Sequence, residues 1–163
     1  SDLQAAALIG AWEGPEQTVS LRFPVSFHST AEAHIRNHVR DMEVYANPDQ
    51  ELAQTVQAIR TQIDARDDTK PYPPVPGRKL GYSTLVPWVS RPRYFCGSEI
   101  VALAPFPGSL GADALAGAGI MYGGKLFVGV NTPVEVDVEA TMGRVYELMT
   151  GQPDPGRPHT VRA

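Results

Sequence analysis

The chain has 163 residues, of which 42% are hydrophobic, and a formal net charge of −4 at pH 7. This length suits one domain with a substantial core, and the composition is ordinary for a globular protein. The acidic balance argues against nucleic-acid binding, and no apolar run reaches the roughly 18 residues of a membrane span. The single cysteine, Cys96, excludes an internal disulfide framework, and its apolar surroundings predict a buried packing residue.

The first elements in chain order are a helix and a strand. Leu3–Trp12 is predicted to be helical, with Ser1 or Asp2 able to cap its free N–H groups. Apolar and polar residues alternate over Thr18–Phe27, which predicts a strand with one buried face. Pro24 inside this strand favours an edge position or a bulge.

A second strand and the clearest helix follow. His38–Tyr45 has the composition of a strand, and Pro48-Asp49 opens a helix that runs through Ile63. Its apolar positions recur at helical spacing, as Leu52, Val56, Ile59 and Ile63. Four of the seven residues in Pro71–Gly77 are prolines, so this stretch is predicted to be a stiff connector on the surface.

The second half is predicted to be mainly strands. Tyr82–Val89 and Arg93–Ala104 carry β-branched and aromatic residues, and Ala114–Tyr122 and Lys125–Asn131 flank a Gly-Gly turn typical of a hairpin. Asp137–Met149 is predicted to be the last helix. We therefore expect one α/β domain over residues 1–151, with a mixed, largely antiparallel sheet and about three helices. Residues 152–163 are predicted to be a flexible tail.

The residues themselves show no self-sufficient active site. His34 and His38 would share a helix face, but Ile35 stands where a zinc peptidase needs Glu, and no third ligand is evident. Carboxylates are dispersed, and the sequence has neither a G-x-S-x-G elbow nor a phosphate-binding loop. We therefore predict no metal site and no catalytic residue within this chain.

Six short motifs in order resemble the second half of bacterial wax ester synthase/diacylglycerol acyltransferases, within the chloramphenicol-acetyltransferase-like superfamily. The chain contains Ser1-Asp2 before an Ala-rich helix, FPVSFH at 23–28, Asn37, Leu85–Val89, Tyr94–Gly97 and Met121–Gly124. The loop departs from the family pattern, because only its Val and Pro are retained, as Val86 and Pro87. The family loop Asn-Val-Pro-Gly-Pro has Leu85 and Trp88 in place of its Asn and Gly.

The resemblance implies one half of a two-domain, chloramphenicol-acetyltransferase-like fold. Its catalytic HHxxxDG motif belongs to the N-terminal half, which lies outside this sequence. The implied reaction joins a long-chain acyl group from acyl-CoA, a substrate rather than a cofactor, to diacylglycerol or a fatty alcohol. A histidine of the other half would act as general base on the alcohol. The implied location is cytoplasmic, including the surface of a membrane or lipid droplet.

The resemblance also assigns roles to five residues of this chain. Asp2 and Asn37 are expected to support the interface with the other half. Ser83, Pro87 and Trp88 are expected to line the substrate tunnel. The exposed half-interface predicts pairing with the N-terminal half or with a second copy of the chain. The alternative function is a non-catalytic module of the same fold that binds lipid or protein.

Overall fold

The computed structural model describes residues 2–26, 39–67, 69–87, 91–108, 111 and 114–155. The helices are α1 (Asp2–Gly10), α2 (Leu52–Asp64) and α3 (Val138–Thr150). The strands of the main sheet are β1 (Val19–Ser26), β2 (Val39–Ala46), β3 (Arg78–Pro87), β6 (Leu115–Tyr122) and β7 (Lys125–Asn131). A separate two-stranded hairpin consists of β4 (Tyr94–Phe95) and β5 (Ser98–Glu99).

The main sheet is mixed. Its strand order is β2-β1-β3-β6-β7. The β1/β2 and β6/β7 pairs are antiparallel, whereas β1/β3 and β3/β6 are parallel. The predicted α/β class with a mixed sheet is therefore confirmed, and parallel pairings make up half of the main sheet.

Helix α1 lies at the centre of the helical layer. It contacts α2 and α3 on its sides and β1, β3 and β6 beneath it. The residues from Gln4 to Ile9 are all buried. The alanines among them have no side chain beyond Cβ, which allows close packing on several sides at once. The low amphipathicity of this segment follows from its burial, because a helix surrounded by protein needs no polar face.

The outer helices have the boundaries that their sequences favour. Asp137 caps α3, since its carboxylate accepts hydrogen bonds from the N–H groups of Glu139 and Ala140 at 2.8 and 3.1 Å. Gly151 ends α3 in the left-handed region, at φ 69°. On α2, the Gln62 side chain accepts from the Tyr45 N–H at 3.0 Å and donates to the Tyr45 carbonyl at 2.7 Å. Gln62 thereby satisfies both backbone groups of Tyr45 on the edge strand β2.

The prediction of one strand over Arg93–Ala104 is wrong. Only β4 and β5 pair there, and they are joined by a tight turn in which Cys96 and Gly97 have φ of 50° and 81°. Two positive φ values match the turn type that suits hairpin twist. Cys96 is exposed at this turn, so the prediction that it is a buried packing residue is also wrong.

Pro24 lies at a local edge, as predicted, because it has a neighbouring strand on one side only, although β1 as a whole is an interior strand. Strand β1 has β2 on one side and β3 on the other, and its register shift falls between Ser20 and Leu21. Pro24 pairs with Asp41 of β2 but has no β3 partner. A missing N–H at that point therefore removes no bond to β3.

The remaining sequence predictions concern length and location. The described part of the chain ends at residue 155, so most of the predicted tail at 152–163 lies outside it. None of the described helices has the length and apolar character needed to cross a membrane.

Candidate functional site at the carboxyl ends of the parallel strands

Three parallel strands end at the same edge of the sheet. β1, β3 and β6 end at Ser26, Pro87 and Tyr122. In open α/β sheets, ligands bind outside the carboxyl ends of the strands. Helix α1 runs in the opposite direction, because Gln4 contacts the end of β3 and Leu8 lies over the middle of β6. Its N-terminus, which carries the positive end of the helix dipole, therefore lies at this edge.

Asp2 joins the first turn of α1 to α2. Its carboxylate accepts a hydrogen bond from the Arg60 Nε–H and forms an ion pair with that guanidinium. The Asp2 side chain is 23% exposed, whereas that of Arg60 is 60% exposed. The hydrogen bond from Arg60 lowers the pKa of Asp2, although partial burial opposes the shift. Asp2 thus ties the first turn of α1 to α2, and its predicted role at an interface with another half stays a prediction.

Gln4 is a site residue that the sequence prediction missed. Its side chain is 2% exposed, and its Nε2–H group donates to Ser83 Oγ at 3.3 Å and to the Thr84 carbonyl at 3.1 Å. Its Oε1 has no hydrogen-bond partner among the described residues. A β carbon on Gly119 would overlap this oxygen, so the glycine provides the space for the amide. The available signal was a single glutamine within an apolar helix.

The predicted tunnel residues have different surroundings. Ser83 is 1% exposed and contacts Gln4 of α1, so its hydroxyl is packed in the interior of this chain. Pro87 is the last residue of β3 and pairs with Met121 of β6. Asn37 and Trp88 lie outside the described residues, as do His34 and His38. The roles assigned to Asn37, Ser83, Pro87 and Trp88 therefore stay predictions, and so does the expectation of no metal site at His34 and His38.

Residues 91–108, here called the covering segment, lie across the opposite face of the sheet. Gly117 and Gly119 face α1, so Tyr122 and the alternate residues of β6 face away from the helices. The Tyr122 hydroxyl accepts the Arg93 N–H at 2.9 Å, and the Tyr82 hydroxyl donates to the Gly108 carbonyl at 3.0 Å. These two tyrosines attach both ends of the covering segment to the sheet.

The covering segment exposes large apolar side chains. The exposed fractions of Tyr94, Phe95, Val101 and Phe106 are 65, 75, 79 and 90%. Large exposed apolar patches mark binding surfaces in monomeric proteins, so this segment is a candidate binding surface.

The neighbouring part of the same face is charged. Lys79 pairs with Glu43 at 2.8 Å, and Arg22 lies 3.9 Å from Asp41. These four residues belong to β1, β2 and the start of β3. The face is thus divided into a charged part and an apolar part.

Comparisons with known proteins identify the fold. No family model matches the chain, and no curated protein matches it. Among solved structures, a match with a TM-score of 0.54 and 14% sequence identity covers 91% of this chain. This match assigns the chain to the chloramphenicol-acetyltransferase-like fold class, and the chain forms one half of that fold. The matching structure is a mutant of the starter condensation domain of the rhizomide synthetase RzmA, and this chain covers 40% of it.

Proposed function

We propose that this chain is the C-terminal half of a two-domain O-acyltransferase that uses long-chain acyl-CoA. The observation that carries the proposal is the likeness in fold to a condensation domain, which extends over 91% of this chain but only 40% of the other. The six motifs that resemble wax ester synthase/diacylglycerol acyltransferases favour diacylglycerol or a fatty alcohol as the acceptor.

In the proposed reaction, the N-terminal half supplies the general base. A histidine of its HHxxxDG motif takes the hydroxyl proton of the acceptor alcohol, and the oxygen attacks the thioester carbonyl of acyl-CoA. The C–S bond then breaks, and the thiolate of CoA takes up the proton to leave as free CoA. This chain supplies part of the substrate tunnel and the surface on which the N-terminal half packs. The enzyme works in the cytoplasm or at the surface of a membrane or lipid droplet.

The apolar side chains of the covering segment support the need for a partner. Phe95 and Phe106 are more than 70% exposed, and burying such side chains would stabilise a complex. The proposed occupant is the N-terminal half. A second copy of this chain, or the lipid or protein ligand of a non-catalytic module, is the competing occupant.

The activity is tested with the full reading frame that contains this chain. The purified product is incubated with palmitoyl-CoA and either diacylglycerol or hexadecanol, and both free CoA and acyl ester are measured. We expect ester formation that depends on the acceptor and is lost when the upstream motif histidine is changed to Ala. A folded full-length protein that forms no acyl ester with any acceptor would favour the non-catalytic module instead.

The partner is tested by expressing the two halves with separate tags. Phe95→Ser combined with Phe106→Ser should weaken their co-purification. Val134→Ser is the matched control, because Val134 is 97% exposed and lies outside the covering segment. Equal co-purification of the double variant and the control would show that the N-terminal half does not use this surface.

A further inference from the structure

The parallel strands β1 and β3 separate before they end. Their pairing extends from Val19 with Arg78 to Arg22 with Tyr82. Beyond this point, β1 continues beside β2 and β3 continues beside β6. Among the described residues, the last five residues of β3 therefore have a neighbouring strand on one side only.

Gln4 contacts β3 where the β1 pairing is missing. Its Nε2–H donates to the carbonyl of Thr84 at 3.1 Å, two residues beyond the last residue of β3 that pairs with β1. A side-chain amide thus supplies a hydrogen bond of the kind that a neighbouring strand would supply. Because Gln4 and Ser83 are 2% and 1% exposed, water has little access to replace these bonds.

The Gln4 amide also packs closely against Gly119 of β6. Both Gln4 Oε1 and Leu85 Cδ1 lie where a β carbon on Gly119 would be. Any residue larger than glycine there would displace the amide or Leu85. The position of the β3 end is thus set jointly by a glutamine of α1 and a glycine of β6.

We propose that Gln4 is a positioning residue, which holds the carboxyl end of β3 in the conformation that binds substrate. This end carries Val86, which is 41% exposed and alternates with Ser83 so as to face away from α1. Gln4 itself is buried and acts through β3. The inference rests on the proposed function, because the substrate concerned is the acyl-CoA of that reaction.

The first test is amide hydrogen exchange in the full-length protein. Gln4→Met keeps the length of the side chain but removes its donor. We expect exchange at residues 83–86 to become about tenfold faster, as the loss of the buried hydrogen bonds from the Gln4 amide predicts. Ser83→Ala is the second variant, for use if Gln4→Met fails to fold. It removes only one acceptor of the Gln4 amide, so we expect a smaller increase in exchange in the same region.

Gln62→Met is the matched control for this experiment. Gln62 also bonds a strand backbone through its side-chain amide, but it does so at Tyr45 on β2. This variant should leave exchange at residues 83–86 unchanged. Unchanged exchange in Gln4→Met, or an equal increase in both variants, would overturn the inference.

The second test measures substrate binding. In Gln4→Met, we expect the KM for palmitoyl-CoA and its directly measured Kd to rise by roughly five- to tenfold, with kcat within about twofold of wild type. Gln62→Met should change none of these values. If exchange accelerates but KM and Kd stay the same, Gln4 has a structural role only and the inference is wrong.

The two measurements separate this inference from the proposed function. A full-length protein that binds palmitoyl-CoA but does not transfer the acyl group contradicts the proposed function. A weaker Kd in Gln4→Met would still support the positioning role in that protein. A protein that neither binds nor transfers the acyl group would contradict both.

Discussion

Leu8 of α1 packs so closely on Gly117 of β6 that a β carbon on the glycine would overlap Cδ1 of the leucine. Leu8 is fully buried, as are the alanines that precede it. The helix therefore lies directly on the backbone of the strand. This close approach also brings Gln4 within hydrogen-bonding distance of β3.

Gly117→Ala should destabilise the protein. The added methyl must displace Leu8 within a packed core, and overpacking of this kind costs about 1–3 kcal/mol. Urea denaturation followed by circular dichroism measures the change. Gly108→Ala is the control, because nothing lies within 4 Å of its added carbon, and it should stay within about 0.5 kcal/mol of wild type. Equal stability of the two variants would contradict this description of the packing.

Gln62→Met should expose the backbone of the edge strand β2. The variant loses both bonds to Tyr45, and we expect the free energy of unfolding to fall by about 1 kcal/mol. An unpaired edge also favours strand addition between molecules, so light scattering should show more association at high protein concentration. Gln57→Met, at an exposed position of the same helix, should have neither effect. Association of both variants to the same extent would exclude a specific role for Gln62.

The Asp2–Arg60 pair should make stability depend on pH in the acidic range. The pKa of Asp2 is lowered from 3.8 in the folded state. The contribution of its carboxylate to folding stability is therefore fully present above pH 3.8. It is lost as the pH falls through the lower, folded-state value. Arg60→Gln should therefore lower the urea midpoint at pH 7. The decrease should become smaller as the pH falls below 3.8. The effect is small, because Arg60 is well exposed.

Asp2→Asn provides the control for that experiment. With no carboxylate at position 2, a further Arg60→Gln change should leave the pH dependence of the midpoint unaltered. A difference that persists in the Asp2→Asn background would mean that another group produces the pH dependence.

Cys96 should be accessible to thiol reagents in the native protein. It is exposed in the β4–β5 turn and has a φ of 50°, where most side chains are disfavoured. We expect complete labelling by a water-soluble thiol reagent without denaturant. Cys96→Asn should fold at least as well, since asparagine tolerates this conformation. A thiol that reacts only after urea is added would contradict its exposed position.

The sequence predicted most elements because their patterns are local. The apolar spacing of α2 and the Gly-Gly turn between β6 and β7 each depend on residues close in the chain. The strand at 93–104 was predicted wrongly because β-forming residues such as Tyr94 and Phe95 outweighed the turn at Cys96-Gly97. Propensity describes single residues, whereas the paired positive φ values depend on the hairpin as a whole.

The candidate site was less predictable, because its contacts join distant parts of the chain. Gln4 and Ser83 are 79 residues apart in sequence, and no periodicity relates them. Ser83 was predicted to line a tunnel from motif resemblance alone, and its burial follows from the position of α1 above it. Where β1 leaves β3 could not be read from the sequence either, although Pro24 lies just beyond that point.

The central position of α1 has a consequence for how the chain folds during synthesis. The helix is the first element described, yet the strand that fits beneath Leu8 ends at Tyr122. Until the ribosome has released that strand, the apolar surface of α1 has no complete binding site. Such long sequence separations slow folding and leave apolar segments exposed to aggregation. Chaperone dependence during expression is therefore expected to arise at this helix.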